Sequence, residues 1–230
     1  MIVEGTGEPL DSNSLVDYAM AVFDAASGQV VRTQGYDGVP SLPVAATTVG
    51  QYLGCASVGS RVVVAVPATD LDAASIWVVD VLGSHPARAT GVDQDPVDGM
   101  PAVQLEKNGA PTVTVPDGEP PSETRVAILK KGDGAAVSPG DTVLVQYAGL
   151  RWSDGSVFDA SWSTGSPTAL ATSEVIPGYR EALEGQTIGS QVLVVIPPDA
   201  AYGEGTINEN DLTGETLIFV VDILQTMPAA

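Results

Sequence analysis

Short apolar runs recur along the chain, each stopped by glycine, proline or aspartate. Most alternate or are rich in β-branched residues, the pattern of half-buried strands. Residues 15–23 read as a strand, Ala26-Ser27-Gly28-Gln29 as a turn, and Val30-Val31 resumes the extension. A short helical turn is predicted within 49–56. Residues 61–66 form a valine-rich run halted by Pro67, and 76–82 form another. Residues 83–95 lose the runs and read as a linker. Residues 96–124 are Pro-rich but hold two short runs, 102–105 and 111–115, around Lys107-Asn108-Gly109, an Asn-Gly turn signal. They are expected to form an N-terminal extension lying along a second domain that opens at Val126. Further strands are expected at 143–147, 155–159, 191–196 and 217–224. One stretch changes period: Tyr179, Ala182 and Leu183 fall at i, i+3 and i+4, with Pro177 suited to a first helical turn and Gly185 to its end.

The two halves repeat one another. Tyr18 pairs in order with Tyr147, Leu53-Gly54-Cys55 with Leu183-Glu184-Gly185, and Val64-Ala65-Val66-Pro67 with Val194-Val195-Ile196-Pro197. Trp77-Val78-Val79-Asp80-Val81-Leu82 pairs with Phe219-Val220-Val221-Asp222-Ile223-Leu224. One fold used twice is expected, with boundaries 1–82, a linker over 83–95, and 96–230 including the extension.

Composition narrows the chemistry. A hydrophobic fraction of 44% supports packed cores. The net charge of −20 argues against nucleic acid and against an anionic membrane surface, which need clustered cations. The negative charge is spread over both halves. No apolar run is long enough to span a bilayer as a helix. Cys55 is the single cysteine, read as a small buried hydrophobe. His85, in a Ser-His-Pro stretch, reads as a solvated loop residue, which disfavours a Ser-His-Asp triad or zinc. The acids near 93–98 and 209–215 lack EF-hand spacing. No cofactor or metal is expected.

The second half resembles the FK506-binding-protein family of peptidyl-prolyl isomerases. The resemblance rests on Val145-Gln146-Tyr147-Ala148-Gly149, Gly155-Ser156-Val157-Phe158-Asp159, Val175-Ile176-Pro177-Gly178, Gly189-Ser190, Ala201-Tyr202-Gly203 and Thr216-Leu217-Ile218-Phe219, in family order over residues 126–226. It implies an α+β fold: two FKBP-like domains, each a curved antiparallel sheet wrapped around one short helix. It also implies a cofactor-free prolyl isomerase acting on X-Pro bonds of polypeptides. Tyr147, Phe158 and Asp159 are implied as one wall of the catalytic pocket, with Val175 and Ile176 at the helix entry. Tyr179 stands at the floor, where most relatives have Trp. Tyr202 offers a hydroxyl to the substrate, Phe219 closes the back, and Leu212 contributes from the loop before Thr216.

This chain departs from the family in three places. Ser161-Trp162-Ser163 follows the Phe-Asp pair where many relatives have an Arg. Residues 167–174 are short and lack an aromatic pair, and the flap 206–211 is acidic and polar. These changes predict weaker catalysis and poor affinity for macrolide ligands. In the first half Val31 and Arg32 stand where Phe158 and Asp159 do, and no Tyr202 equivalent lies between Pro67 and Trp77. That half is expected to keep the fold without the catalysis. The rival expectation is a non-catalytic peptide-binding chaperone module. The abrupt start at Ile2-Val3-Glu4, the low lysine content and the Pro-rich linker suggest an exported protein of a bacterial envelope, or a secreted one, whose leader has been removed. A cytoplasmic location is the alternative.

Overall fold

The computed structural model describes residues 1–11, 14–36, 42–46, 52–53, 56–69, 72–207 and 211–229. The chain divides into two compact units, Met1–Ala87 and Arg88–Ala230. Its architecture is mostly antiparallel sheet with short helices.

In the first unit the strands are β1 (Ser14–Asp24), β2 (Val30–Gln34), β3 (Val44–Ala45), β4 (Arg61–Val66) and β5 (Ser75–Pro86). They form one antiparallel sheet in the order β2-β1-β5-β4, with β3 paired to β1. Period-2 alternation buries Val16, Met20, Val62, Val79 and Val81 on one face, against Leu53 and Ala56. Tyr52 and Leu53 are helical; the rest of the helical turn expected there, with Cys55, lies mostly outside the described residues.

The second unit contains β6 (Val92–Asp93), the hairpin β7 (Ala102–Leu105) and β8 (Pro111–Thr114), then β9 (Arg125–Lys131), β10 (Thr142–Arg151), β11 (Val157–Ala160) and β12 (Thr168–Ala171). Helix α1 (Pro177–Leu183), β13 (Gln191–Ile196) and β14 (Leu217–Met227) complete it. The sheet order is β11-β10-β14-β13-β9-β6, with β12 on β10. Proline at the first turn starts α1, and Gly185, at φ +82°, ends it in the left-handed conformation that glycine adopts without steric cost. Tyr179, Ala182 and Leu183 are buried, as their spacing predicts, against Val194, Ile196, Leu217 and Phe219. The opposite sheet face carries a second core: Ala148, Leu150, Leu193, Val195, Ile218 and Val220 lie under Met100, Val103, Val113 and Val115 of the 96–124 segment. The Asn-Gly turn of its hairpin is present, with Gly109 at φ +98° and the Glu106 amide donating to the Ala110 carbonyl at 2.9 Å.

The sheets of the two units share their register. Arg61 faces Asp80 and Val64 faces Trp77 on β4–β5; Gln191 faces Asp222 and Val194 faces Phe219 on β13–β14. The β1–β5 and β10–β14 ladders each slip once, just before Tyr18 and just before Val145. Side-chain details repeat as well: the Ser60 hydroxyl accepts the Gly5 amide at 2.9 Å, and the Ser190 hydroxyl accepts the Gly132 amide at 2.9 Å. The register corrects one sequence match. Tyr18 faces Val81 as Val145 faces Ile223, so the residue that stands where Tyr147 does is Met20, opposite Val79. Two tyrosines of like period were aligned one pleat out of place.

Residues 83–95, expected to link the domains, are instead shared between the units. Gly83 to Pro86 prolong β5, with Ser84 facing Val16 and His85 facing Leu15. Gly83 belongs there because a Cβ would meet the Asp17 carboxylate at 2.7 Å. His85 is therefore not a free loop residue: its Nε2 lies 2.6 Å from Asp17 Oδ2. Beyond the unit boundary Val92 and Asp93 pair with Lys131 and Lys130. The Ala89 amide donates to the buried Asp222 carboxylate at 2.8 Å.

Candidate active site

Phe219, near the middle of the second sheet, is the hub of the site. Tyr179 meets it edge-on at 4.9 Å between centroids, Phe158 meets it edge-on at 5.6 Å, and Tyr147 lies 6.4 Å away. Four different elements deliver these rings. β10 and β14 set Tyr147 and Phe219 on the core face, β11 brings Phe158 across a bulge at Gly149/Leu150, and α1 stands Tyr179 under them. Gly149 makes the cluster possible. A Cβ there would meet Phe219 Cε1 at 2.7 Å and Phe158 Cζ at 2.8 Å, so only glycine lets both rings approach the strand.

The rings do not close into solid core. They bound an open cavity of about 280 Å³ lined by Tyr147, Phe158, Asp159, Leu170, Glu174, Val175, Ile176, Tyr179, Tyr202 and Phe219. Tyr179 and Phe219 are buried at its base, Tyr147 and Phe158 are half-buried at its sides, and Tyr202 is exposed at its mouth. All eight residues predicted to be catalytic are brought together here. Leu212 is not: it packs against the main core and is absent from the cavity wall. Sequence reasoning missed Glu174 and gave Leu170 no site role. Both lie on the short 167–174 segment, which reaches the cavity through β12 pairing with β10. Residues 208–210 of the predicted polar flap lie outside the described residues.

Asp159, without the cation many relatives supply, has another partner: the Tyr147 hydroxyl donates to its Oδ2. Burial, and then the adjacent carboxylate, push the Tyr147 phenol well above its ordinary range, so it stays a protonated donor. Ser161, in the position of interest after Phe158-Asp159, works on the backbone. Its hydroxyl accepts the Tyr147 amide at 2.8 Å and donates to the buried Gln146 side chain. A serine there fixes the strand that carries Tyr147. The Tyr179 hydroxyl is wholly buried and has no hydrogen-bond partner among the described residues. Its phenol is also pushed far up, first by burial. The cavity thus offers apolar ring faces, a Tyr147 hydroxyl committed to the Asp159 carboxylate, and the Tyr202 phenol at its mouth. Among the described residues the lining includes no serine, cysteine or lysine.

Helix α1 is entered through Ile176, which is extended at φ −58°, ψ 149°, so Val175 and Ile176 pass along the cavity rim before the helix begins.

Comparison with known proteins points the same way. Residues 134–224 match the FKBP-type peptidyl-prolyl cis-trans isomerase family. An FK506-binding protein of Streptomyces anulatus is 38% identical over 117 residues, which is 50% of this chain and 94% of that protein. Outer membrane protein MIP of Legionella longbeachae is 38% identical over 110 residues, 48% of this chain and 47% of its own. The crystal structure of FkpA from Escherichia coli superposes with a TM-score of 0.44 at 30% identity, covering 58% of this chain and 54% of that one. The chain belongs to the FKBP-type family of peptidyl-prolyl cis-trans isomerases and is an enzyme of that kind.

Proposed function

We propose that the second unit carries the isomerase activity and that the cavity around Phe219 is where the X-Pro bond turns. The observation behind this reading is the open, ring-lined cavity itself, with polar groups at its edge and apolar surface at its base. Amide resonance sets a barrier of about 18–20 kcal/mol, and uncatalysed exchange takes roughly tens to hundreds of seconds. The twisted amide is less polar than the planar one, so a dry apolar wall favours it. Stabilisation of that geometry over the ground state is what accelerates the reaction. In this reading the prolyl ring rests on Tyr179 and Phe219, with Phe158 and Tyr147 beside it. The Ile176 amide and the Tyr202 hydroxyl hold the flanking substrate carbonyls. Asp159 orients Tyr147. The substrates are proline-containing polypeptides, and no covalent step is involved.

The first unit keeps the sheet and an aromatic residue, Trp77, at the Phe219 position, but lacks the Tyr147 and Phe158 rings. Met20, Val31 and Arg32 stand at the positions of Tyr147, Phe158 and Asp159, and Val22 replaces the glycine that admits them. We assign it no isomerase activity. An envelope location is favoured by the likeness to a protein named for the outer membrane.

Exchange NMR on a proline tetrapeptide tests the assignment. Phe158→Ala is expected to lower catalysed exchange on the order of tenfold, or ~1.4 kcal/mol of transition-state stabilisation. Full exchange in that variant, with the fold intact, would move the activity elsewhere. Peptide binding without any acceleration by the unaltered chain would favour a holding module instead.

A further inference from the structure

The two sheets differ most on the face turned away from their main cores. In the second unit that face is Ala148, Leu150, Leu193, Val195, Ile218 and Val220, covered by Met100, Val103, Val113 and Val115. The covering hairpin β7–β8 is a separate two-stranded sheet. Side-chain packing therefore holds it in place, without ladder hydrogen bonds to the sheet beneath.

The shared register carries these six positions into the first unit as Ala21, Phe23, Val63, Ala65, Ile76 and Val78. All six are apolar. Val63 and Ile76 are 38% and 37% exposed, whereas their counterparts Leu193 and Ile218 are at 0%. Ala65 is exposed, and Ala21, Phe23 and Val78 are only half-buried. An antiparallel sheet that faces water on one side ordinarily alternates to polar residues there. Here polar groups stand at the margins: Thr33 on the edge strand opposite Ala21, and on the other side Arg61, which pairs with Asp80, and the Tyr36 hydroxyl, which donates to the same carboxylate at 2.8 Å. A contiguous apolar face kept through the strands is the mark of a surface that receives something.

We propose that this face holds extended apolar segments of unfolded polypeptide clients, much as the sheet of the second unit holds β7–β8. The covering segment defines the chemistry of the occupant: valine or methionine toward the sheet, uncharged on the contacting side. Backbone pairing is not required, so many sequences qualify. A second copy of this chain is a poor occupant. A stable protein interface takes roughly 20–30 residues a side, against six here. The chain as a whole carries a net charge of −20, so two copies repel one another on approach. A small uncharged patch gives a weak and quickly released grip. That suits a client whose proline must reach a catalytic cavity, and it is the one point at which the inference rests on the function proposed above.

The test uses the full chain with reduced, carboxymethylated α-lactalbumin as a permanently unfolded probe, and with a synthetic peptide of residues 100–116. Binding is read by fluorescence anisotropy. Val63→Lys combined with Ile76→Lys is expected to weaken both affinities at least tenfold and to leave tetrapeptide exchange unchanged. If that variant loses its circular dichroism spectrum, Val63→Thr with Ile76→Thr, which keeps strand propensity, decides the matter. Unaltered affinity in a folded variant overturns the proposal. So does a monomer–dimer equilibrium in sedimentation velocity that these substitutions abolish, because it assigns the face to a second copy. Loss of client binding in Phe158→Ala alone would assign the client to the cavity. Absence of tetrapeptide exchange with client binding intact would overturn the isomerase assignment and leave the face as proposed.

Discussion

Asp222 lies in the middle of β14 with 2% of its surface exposed. Its carboxylate accepts the Ala89 amide at 2.8 Å and the Gln191 side-chain amide at 2.7 Å. Burial outweighs both hydrogen bonds and the charges of Lys130 and Arg88, and pushes its pKa from 3.8 up to about 6. A raised carboxyl pKa means that the folded chain binds the proton more tightly than the unfolded chain. Stability from this group is therefore fully present below pH 4 and falls as the pH rises through 6. A shift of roughly 2 units corresponds to about 3 kcal/mol lost by pH 7. Asp222→Asn removes the charge and keeps the contacts: the new amide oxygen accepts from Ala89, and Gln191 turns its amide to accept from the new NH₂. We expect the variant to match the parent chain near pH 4 and to exceed it by about 3 kcal/mol at pH 7 and above. Urea unfolding of both proteins from pH 4 to 8, followed by tryptophan fluorescence, reads the difference directly and cancels the other carboxylates. A stability gap that does not change with pH, or a variant weaker at pH 7, would refute the reasoning.

Two further outcomes follow from the site. Tyr179→Phe removes a buried hydroxyl without a partner, so thermal and urea unfolding should show a gain of about 1–3 kcal/mol. If Tyr179 instead loses stability on this change, its hydroxyl is satisfied in solution. Gly149→Val places a side chain where Phe158 and Phe219 now sit, copying the first unit's Val22. Exchange activity should be lost while the far-UV spectrum persists, and retained activity would show that the rings can retreat without cost.

Strands were legible because period-2 burial writes itself into the sequence, and α1 because Tyr179, Ala182 and Leu183 break that period. Eight of the ten cavity residues were legible because family motifs fix them in order. What one sequence does not display is pairing. The end of β5 looked like a linker because Gly83, Ser84, His85 and Pro86 are turn-type residues; they extend the strand because β1 offers them a partner and Gly83 leaves room for Asp17. The Tyr18 match failed for the same reason, since alternation repeats every two residues and cannot number the pleats. Glu174 was invisible as a cavity residue, being a charge in a short loop until β12 docks. The buried Asp222 did leave a signal: it interrupts an otherwise apolar run, as Asp80 does in the other half. In that half Arg61 stands where Gln191 does, and its guanidinium holds Asp80 below the usual carboxylate range.

Two ladders of one register on a single chain also create a hazard in refolding, when strands search for edges. β5 inserted between β10 and β13 would satisfy the backbone as fully as β14 does, bulge included. The backbone therefore exerts no proofreading against such an exchange. Discrimination falls to the side chains: Ser75 would replace the buried Leu217, and the indole of Trp77 would have to enter a socket shaped by Tyr179 and Phe158 around a single phenyl ring. The aromatic cluster thus guards correct assembly as well as lining a cavity, and changes that loosen it should appear first as swapped or tangled chains.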